Sequence, residues 1–285
     1  MLAPLPRLII EPAVRRALEE DLGLAGDITA NAVIPADHRS TVVMAARKEG
    51  VIAGLDAAAL AFALVDPEIG LIRHVGDGEK VAAGAAIATV TGTSRALLTG
   101  ERTALNFLGH LSGIATATSA VVEAVAGTRA SVVCTRKTTP GLRALEKYAV
   151  RAGGGGNHRF SLADAVLIKD NHIAIAGDIR TAILRAKENA GHMVKIEVEV
   201  DTLEQLVQAM EVGVDAVLLD NMAPETLKQA VDIVGGRAVT EASGGITPET
   251  AGAVAEARVD LISIGWLTHS APVLDIGLDY KNAGD

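Results

Sequence analysis

The chain has 285 residues, of which 49% are hydrophobic and 21% charged, as in folded proteins with one large domain or two moderate ones. Its formal net charge is −9 and only 2% of its residues are aromatic. These values argue against a broad nucleic-acid-binding surface, because such surfaces are basic and often use aromatic stacking. Cys134 is the single cysteine, so an internal disulfide is excluded and a reducing compartment such as the cytoplasm is expected.

Two apolar stretches could suggest a membrane, and neither has the expected composition. The start of the chain, MLAPLPRLIIEP, contains prolines and an apolar run too short for a signal peptide. Residues 103–122 are nearly free of formal charge, but they include Asn106, His110 and Ser112, which are costly in lipid. We therefore predict a buried helix there and a soluble protein.

The first 130 residues mix helical and antiparallel patterns. ALEEDLGLAGDITANAVIP predicts a helix followed by a loop, and residues 100–126 predict one or two helices. STVVMAARKEGVIAG, RHVGDGEKV and AAIATVTG predict short antiparallel strands joined by glycine turns. The tail VLDIGLDY has the composition of a strand that returns to this first domain.

From about residue 130 a short β-branched run followed by a helix-like stretch recurs six times. The runs are SVVCT (131–135), DAVLIKD (164–170), KIEVEVD (195–201), DAVLLDN (215–221), RAVTEAS (237–243) and DLISIG (260–265). Alternating strands and helices predict parallel pairing, either in an α/β barrel or in an open doubly wound sheet. Six runs favour a barrel with fewer than the usual eight strands.

Polar or glycine residues end each of the six runs. In an α/β barrel the catalytic groups lie where strands end, so these residues are expected to form one polar site. In chain order they are Arg136 and Lys137; Lys169, Asp170, Asn171 and His172; Glu199 and Asp201; Asp220 and Asn221; Ser243, Gly244 and Gly245; and Gly265.

The third run has an unusual pattern of charge. Strand side chains alternate, so Ile196, Val198 and Val200 face one way while the charged side chains between them face the other. A parallel strand that is covered on both faces should be almost entirely apolar. Charges pointing into a barrel must be paired or must bind a metal or substrate. The alternative is an exposed edge strand with a solvated face.

The residue types at these ends suit a polyanionic ligand. Ser243-Gly244-Gly245 and Gly265 expose backbone N–H groups to which a phosphate can bind. Arginine forks match planar carboxylates, and lysine provides a mobile charge for phosphate. Carboxylates at Glu199 and Asp220 are suited to Mg²⁺ that bridges phosphates. The basic residues cluster in an otherwise acidic chain: Arg136, Lys137, His158, Arg159 and Lys169.

These residues lie in a sequence that resembles the quinolinate phosphoribosyltransferases. The likeness is strongest in TRKTTPGLRALEKYAVRAGGGGNHRFSLADAVLIKDNH (135–172). It continues through EDLGLAGDIT (20–29), ERTALNFLGHLSGIAT (101–116), KIEVEVDTLEQ (195–205), LLDNM (218–222) and EASGGIT (241–247). The resemblance thus spans nearly the whole chain, in the same order.

The resemblance implies a fold with two domains. One is an N-terminal α/β sandwich, residues 1–112, joined by the C-terminal tail, residues 270–285. The other is an incomplete α/β barrel of six or seven strands, residues 113–269, with the catalytic site. The implied assembly is a homodimer, or an oligomer built from dimers, in which Arg102 reaches into the neighbouring subunit's site.

The resemblance also implies a reaction and the roles of residues. The enzyme joins quinolinate to phosphoribosyl pyrophosphate and releases pyrophosphate and CO₂, which leaves nicotinate mononucleotide for de novo NAD biosynthesis. Arg136, His158, Arg159 and Lys169 would surround the quinolinate carboxylates, and Lys137 and Lys169 the phosphoribosyl pyrophosphate. Glu199 and Asp220 would hold Mg²⁺, and the catalytic set would be Lys137, Lys169, Glu199 and Asp220. The 5′-phosphate would bind at Ser243, Gly244, Gly245 and Gly265.

Three other functions remain open from the sequence. One is a paralogue of the same fold that takes a different substrate. Another is a barrel enzyme that forms a Schiff base on Lys169. A third is a binding protein without catalysis, built around the glycine-rich hairpin near residues 76–93.

Overall fold

The computed structural model describes residues 2–280, so Met1 and the last part of the predicted tail, residues 281–285, lie outside the described residues. The chain divides into two compact units. The first comprises Met1–Ser119, Thr139–Gly154 and Thr268–Asp285, and the second comprises Ala120–Thr138 and Gly155–Leu267.

The secondary structure changes character along the chain. The elements up to the long helix are α1 (Arg7–Leu22), α2 (Ile28–Val33), β1 (Arg39–Ala46), β2 (Gly50–Val51), α3 (Leu55–Val65), β3 (Gly70–Arg73), β4 (Lys80–Val81), β5 (Ala86–Thr93) and α4 (Ser94–Ala124). Strands and helices then alternate: β6 (Ser131–Val133), α5 (Arg143–Ala152), β7 (Val166–Ile168), α6 (Asp170–Ala176), α7 (Ile179–Asn189), β8 (Ile196–Val200), α8 (Leu203–Val212), β9 (Ala216–Asp220), α9 (Pro224–Val234), β10 (Val239–Ser243), α10 (Pro248–Glu256) and β11 (Leu261–Ser263). A short 3₁₀ helix, Trp266–Thr268, precedes β12 (Ile276–Tyr280).

The first unit is built on an antiparallel sheet with the strand order β12-β1-β5-β3. The C-terminal strand β12 pairs with β1 from Val42↔Tyr280 to Ala46↔Ile276. Arg47 anchors this pairing, because its Nη1 and Nη2 donate to Asp279 Oδ2 and Oδ1 at 2.8 and 2.6 Å. The predicted N-terminal α/β domain is confirmed, and the tail has the predicted strand.

The second unit is an incomplete α/β barrel. Its parallel sheet has six strands in the order β6-β11-β10-β9-β8-β7, so the first strand of the unit pairs with the last. Among the described residues no ladder joins β6 to β7, and the barrel is open there. All six strands lie inside the six predicted runs, and the predicted incomplete barrel is confirmed.

The segment that follows α5 runs along the free edge of β6. Gly156 forms an isolated parallel bridge with Val133, and its N–H donates to the Val132 carbonyl at 2.8 Å. Its own carbonyl accepts from the Cys134 N–H at 3.3 Å. Because Gly156 is tied to the end of β6, His158 and Arg159 are brought to the carboxyl edge of the sheet.

Strand β8 lies between β7 and β9, so the alternative of an exposed edge strand is wrong. Ile196, Val198 and Val200 are buried, as expected for the face covered by helices. On the opposite face, Glu197 is buried and Glu199 lines a cavity inside the barrel. The sheet therefore holds carboxylates on its inner face.

Helix α4 is a single helix of 31 residues. By length and composition it is the one described helix that could cross a membrane, and 61% of its most apolar window is buried in the protein. The core helices of soluble proteins have the same properties. This burial agrees with the predicted buried helix over residues 103–122.

Two glycines on α4 allow the C-terminal segment to pack closely against it within the first unit. A Cβ at Gly113 would lie 2.1 Å from the Pro272 carbonyl oxygen, and a Cβ at Gly109 would lie 2.9 Å from the Leu274 carbonyl oxygen. The Leu274 N–H also donates to the Gly109 carbonyl at 3.0 Å. Only glycine allows this approach without movement of the backbone.

Gly113→Ala should therefore destabilise the protein, although alanine normally stabilises a helix relative to glycine. We expect a loss of about 1–3 kcal/mol in the free energy of unfolding, measured by chemical denaturation. Gly252→Ala in α10 is the control, because its Cβ would meet nothing closer than 3.4 Å. A Gly113→Ala protein as stable as the wild type would contradict the close packing.

Candidate active site

A cavity of about 410 Å³ opens at the carboxyl edge of the barrel sheet, entirely within the second unit. Its walls come from the ends of all six strands and from the segment beside β6. The lining residues are Thr135, Arg136, Lys137, His158, Arg159, Leu167, Lys169, Glu199, Leu218, Asp220, Glu241, Ser243 and Ser263. Strand ends thus converge on one polar cavity, as the sequence predicted.

Most of the predicted site residues line this cavity, and a few do not. Gly244 and Gly245 lie in the loop that follows β10, and Gly265 follows β11. Asp201 is exposed beyond the end of β8, outside the cavity lining. Arg102 belongs to the first unit and is described separately below.

The register of the parallel strands arranges the inward side chains in layers. Glu199 on β8 and Glu241 on β10 are both level with Leu218 on β9. Two residues further along, Ser243 is level with Asp220. Because alternate residues share a face, Glu197 lies one layer deeper than Glu199. The outer layer therefore carries Asp220 and Ser243, with carboxylates below them.

Lys169 and Asp220 already have partners in the cavity. Lys169 Nζ donates to Glu199 Oε2 at 2.7 Å, and the Lys169 side chain is 47% exposed. Asp220 Oδ2 accepts from Asn221 Nδ2 at 2.6 Å. Lys169 is therefore held beside a carboxylate while its ammonium remains accessible to a ligand.

Two arginines, Arg136 and Arg159, line the cavity, and the charge of one acts on the other. Burial, and after it the positive charge of Arg136, lowers the pKa of Arg159. The negative charges of Glu197 and Asp164 act in the opposite direction. Arg159 Nη1 donates to the Ala165 carbonyl at 2.7 Å, which fixes the guanidinium. Two partly desolvated guanidiniums in one place favour a ligand with several negative charges.

The glycine turn after β10 is sterically demanding. Gly244 has φ +108°, and a Cβ there would lie 2.1 Å from Asn221 Oδ1. Asn221 itself has φ +53°, and its N–H donates to the Ser243 carbonyl at 2.9 Å. Trp266 Nε1 donates to the Ile246 carbonyl at 2.8 Å on the other side of the loop. The loop conformation is thus set from both neighbouring strand ends.

The structure also places the predicted His158 in a cluster with Glu197 and Glu241, which our sequence-based list of site residues omitted. His158 Nε2 lies 2.9 Å from Glu197 Oε2 and 3.6 Å from Glu241 Oε1. Burial, and after it the negative charge of Glu197, raises the pKa of Glu241 to about 7. The sequence did offer a signal for Glu241, as it did for Glu197. Each is a charged residue in a parallel strand, where burial is costly unless the charge has a function or a partner.

Arg102 is exposed on α4 beside a second cavity, of about 480 Å³, that lies within the first unit. Asn106 and His110, one and two turns further along the helix, share this cavity with Thr139. His110 Nε2 lies 2.9 Å from Oε1 of the buried Glu146. The cavity therefore has both polar and charged groups around Arg102.

Comparisons with known proteins agree with this fold and site. Residues 27–112 match the N-terminal domain of quinolinate phosphoribosyl transferase, and residues 114–279 match its C-terminal domain. A nicotinate-nucleotide pyrophosphorylase [carboxylating] of Mycobacterium leprae is 47% identical over 274 residues, which cover 93% of this chain and 95% of that protein. A probable enzyme of the same name from Bacillus subtilis is 45% identical over 260 residues, 91% of this chain and 89% of that protein.

Solved structures show the same likeness. The crystal structure of NadC from Streptococcus pyogenes is 42% identical, with a TM-score of 0.93, and the match covers 98% of this chain and all of that one. The nicotinate-nucleotide pyrophosphorylase from Francisella tularensis is 39% identical with a TM-score of 0.93, over 99% of both chains. An incomplete barrel with basic and acidic strand ends defines a phosphate-handling α/β enzyme. This chain belongs to the quinolinate phosphoribosyltransferase family.

Proposed function

We propose that the protein transfers the phosphoribosyl group of phosphoribosyl pyrophosphate to quinolinate. The products are nicotinate mononucleotide, pyrophosphate and CO₂, a step of de novo NAD biosynthesis. The observation that supports this most directly is one cavity lined both by Arg136 and Arg159 and by Glu199 and Asp220. Full-length similarity to enzymes named for this reaction supports it independently.

The arginines form the end of the cavity proposed for quinolinate. The Arg136 Nε is buried and has no hydrogen-bond partner among the described residues, so it is a donor suited to a carboxylate. Arg159 and Lys169 would add positive charge for the second carboxylate. Family resemblance also implies that His158 contacts the carboxylates, and the hydrogen bonds of this residue are considered below.

The phosphoribosyl pyrophosphate is proposed to bind across Lys137, Lys169 and the glycine turns. Ser243, Gly244, Gly245 and Gly265 would surround the 5′-phosphate through backbone N–H groups and the serine hydroxyl. Lys137 and Lys169 line the same cavity and would contact the pyrophosphate. The lysines suit this role because a flexible ammonium can follow a departing phosphate.

Glu199 and Asp220 fit a Mg²⁺ ion by the chemistry of their donor set. Both carboxylates line the cavity at adjacent strands, and Mg²⁺ is typically held by one or two carboxylates together with phosphate oxygens. When bound, Mg²⁺ would neutralise charge on the pyrophosphate. The protein's own contribution is to hold the two carboxylates near Lys169, whose ammonium competes for Glu199 at 2.7 Å.

The proposed chemistry depends on positioning more than on proton transfer. The quinolinate nitrogen forms a bond to C1 of the ribose as the bond to pyrophosphate breaks, and positive charge develops on the sugar. Inner-face carboxylates such as Glu199 stabilise this charge, while the lysines stabilise the leaving group. The positive charge of the quaternary ring nitrogen then stabilises the electron pair that stays on the adjacent ring carbon when its carboxylate leaves as CO₂, and a proton adds to that carbon. Orientation of the two substrates can contribute up to about 7–11 kcal/mol.

The proposed reaction can be tested with quinolinate and with nicotinate, each with phosphoribosyl pyrophosphate and Mg²⁺. We expect nicotinate mononucleotide and CO₂ from quinolinate only, because the paired arginines suit a dicarboxylate. Product would be measured by chromatography and CO₂ by trapping of labelled carbon. Product from nicotinate alone would contradict the carboxylate assignment, and no product from either would favour a paralogue with another substrate.

We also propose a homodimer, or an assembly built from dimers, in which Arg102 completes the site of the neighbouring subunit. Its support is the exposure of Arg102 on a helix whose neighbours Asn106 and His110 line a polar cavity. An arginine placed this way can present its fork to a carboxylate of a ligand held by another subunit.

Arg102→Ala should fold normally and should raise the KM for quinolinate about tenfold or more, because one charged hydrogen-bond donor is lost. Mixing this variant with Lys137→Ala then tests the subunit of origin. The mixture is assayed at quinolinate concentrations far below the raised KM, where neither variant alone contributes much activity. If Arg102 acts across subunits, about half of the dimers are hybrids with one intact site each, so about one quarter of the wild-type activity returns. No recovery after confirmed subunit exchange would show that Arg102 acts within its own subunit.

Gly244→Ala should weaken phosphoribosyl pyrophosphate binding, because the new Cβ would overlap Asn221 Oδ1 and displace the turn. We expect the KM for phosphoribosyl pyrophosphate to rise by about tenfold or more. Gly236→Ala is the matched control, since Gly236 also has positive φ, +73°, but meets nothing within 4 Å. Equal KM values in Gly244→Ala and the control would argue against a phosphate site at this turn.

A cytoplasmic location is proposed on chemical grounds. Cys134 is the only cysteine and is a buried thiol that cannot form an internal disulfide, so the fold needs no oxidising compartment.

A further inference from the structure

The buried histidine of the cavity has both ring nitrogens engaged within the protein. His158 Nδ1 accepts from the Arg159 backbone N–H at 2.8 Å, and Nε2 lies 2.9 Å from Glu197 Oε2. A backbone N–H can only donate, so Nδ1 carries no proton. The proton is therefore on Nε2, where it is donated to Glu197.

This tautomer limits what His158 can do for a substrate. A neutral imidazole with Nε2–H directed at Glu197 has no N–H left for a pyridine carboxylate. It is also unsuited to bind a cation, although His158, Glu197 and Glu241 offer ligand atoms within 4.8 Å of one another. A metal would need an unprotonated nitrogen directed at the carboxylates.

Two strands hold the histidine in this orientation. Glu197 lies on β8 and Glu241 on β10, and the two carboxylates approach the same imidazole nitrogen at 2.9 and 3.6 Å. Their side chains are only 11% and 2% exposed. Burial, and after it the negative charge of Glu197, raises the pKa of Glu241. Two strands thus hold buried carboxylates against one nitrogen of the imidazole.

The histidine is linked directly to an arginine of the quinolinate end. The Arg159 backbone N–H is held by His158 Nδ1, and the Arg159 guanidinium is held by the Ala165 carbonyl. Burial of Arg159 lowers its pKa, and the positive charge of Arg136 lowers it further because the two guanidiniums repel each other. Because the charge of Arg136 opposes the position of Arg159, hydrogen bonds must hold Arg159 in place. The hydrogen bond from its backbone N–H to His158 is one of them.

We propose that Glu197 and Glu241 are positioning residues that fix His158 as its Nε2–H tautomer, so that His158 holds Arg159 in place and does not itself contact quinolinate through a ring nitrogen. This inference rests on the proposed function, and it gives His158 a different role from the one that the resemblance implies. Glu241 lies in the layer of Glu199, and Glu197 lies one layer deeper, both below Asp220, so the three residues should affect the quinolinate end and not the glycine turns.

Kinetics of two Glu241 variants provide the first test. Glu241→Gln keeps the shape of the side chain and an oxygen beside His158, so its KM for quinolinate should remain within about twofold of the wild type. Glu241→Ala removes the support of His158 and should raise the KM for quinolinate about tenfold or more, with the KM for phosphoribosyl pyrophosphate unchanged. Equal effects on both substrates, or no effect of Glu241→Ala, would overturn the proposal.

Nitrogen NMR of the histidines provides a second test that does not depend on turnover or on a destabilising variant. We expect the His158 signals, assigned by their loss in His158→Gln, to show the neutral Nε2–H tautomer before and after addition of quinolinate alone. An imidazolium or an Nδ1–H tautomer in either state would show that Nδ1 does not accept from the Arg159 backbone N–H, and would overturn the proposal. Failure of the wild type to form product would refute the proposed function instead, so the two failures are distinguishable.

Discussion

The inward-facing charges of the barrel are the constraint on which the rest of the site depends. Glu197 and Glu241 lie near the middle of central parallel strands, where uncompensated charge is costly. Their neighbours compensate for this cost: the His158 imidazole lies between the two carboxylates, and burial together with the charge of Glu197 raises the pKa of Glu241. Arg136 and Arg159 line the same cavity, and their guanidiniums favour an anionic ligand there.

The opening of the barrel between β6 and β7 is part of the site's construction. A closed barrel would have placed a strand beside β6, whereas here the edge is used by the Gly156 segment through a few backbone hydrogen bonds. That segment continues directly into His158 and Arg159. Because β6 and β7 are not paired, the segment that follows Gly156 can lie along β6 and bring His158 and Arg159 into the cavity lining. Backbone hydrogen bonds to β6 determine their position along the strand direction.

Much of this organisation was predictable from the chain itself. Six β-branched runs with polar ends predicted the six strands, and parallel topology brought Arg136, Lys169 and Glu199 to one edge. This worked because strand alternation and the common carboxyl edge are local consequences of sequence order. The importance of Glu241 was not predicted, since one glutamate in RAVTEAS is distinguished only once the strand is known to be central.

The sequence by itself determined the strand and helix pattern, the polar strand ends and membership of a family. Tertiary structure decided that β8 is central rather than at an edge, that β6 pairs with β11, and that His158 directs its proton to Glu197. The physical reason is that periodicity and composition act over a few residues, whereas these outcomes depend on which distant segments pair. A hydrogen-bond partner 39 positions away, as Glu197 is from His158, leaves no local trace in the sequence.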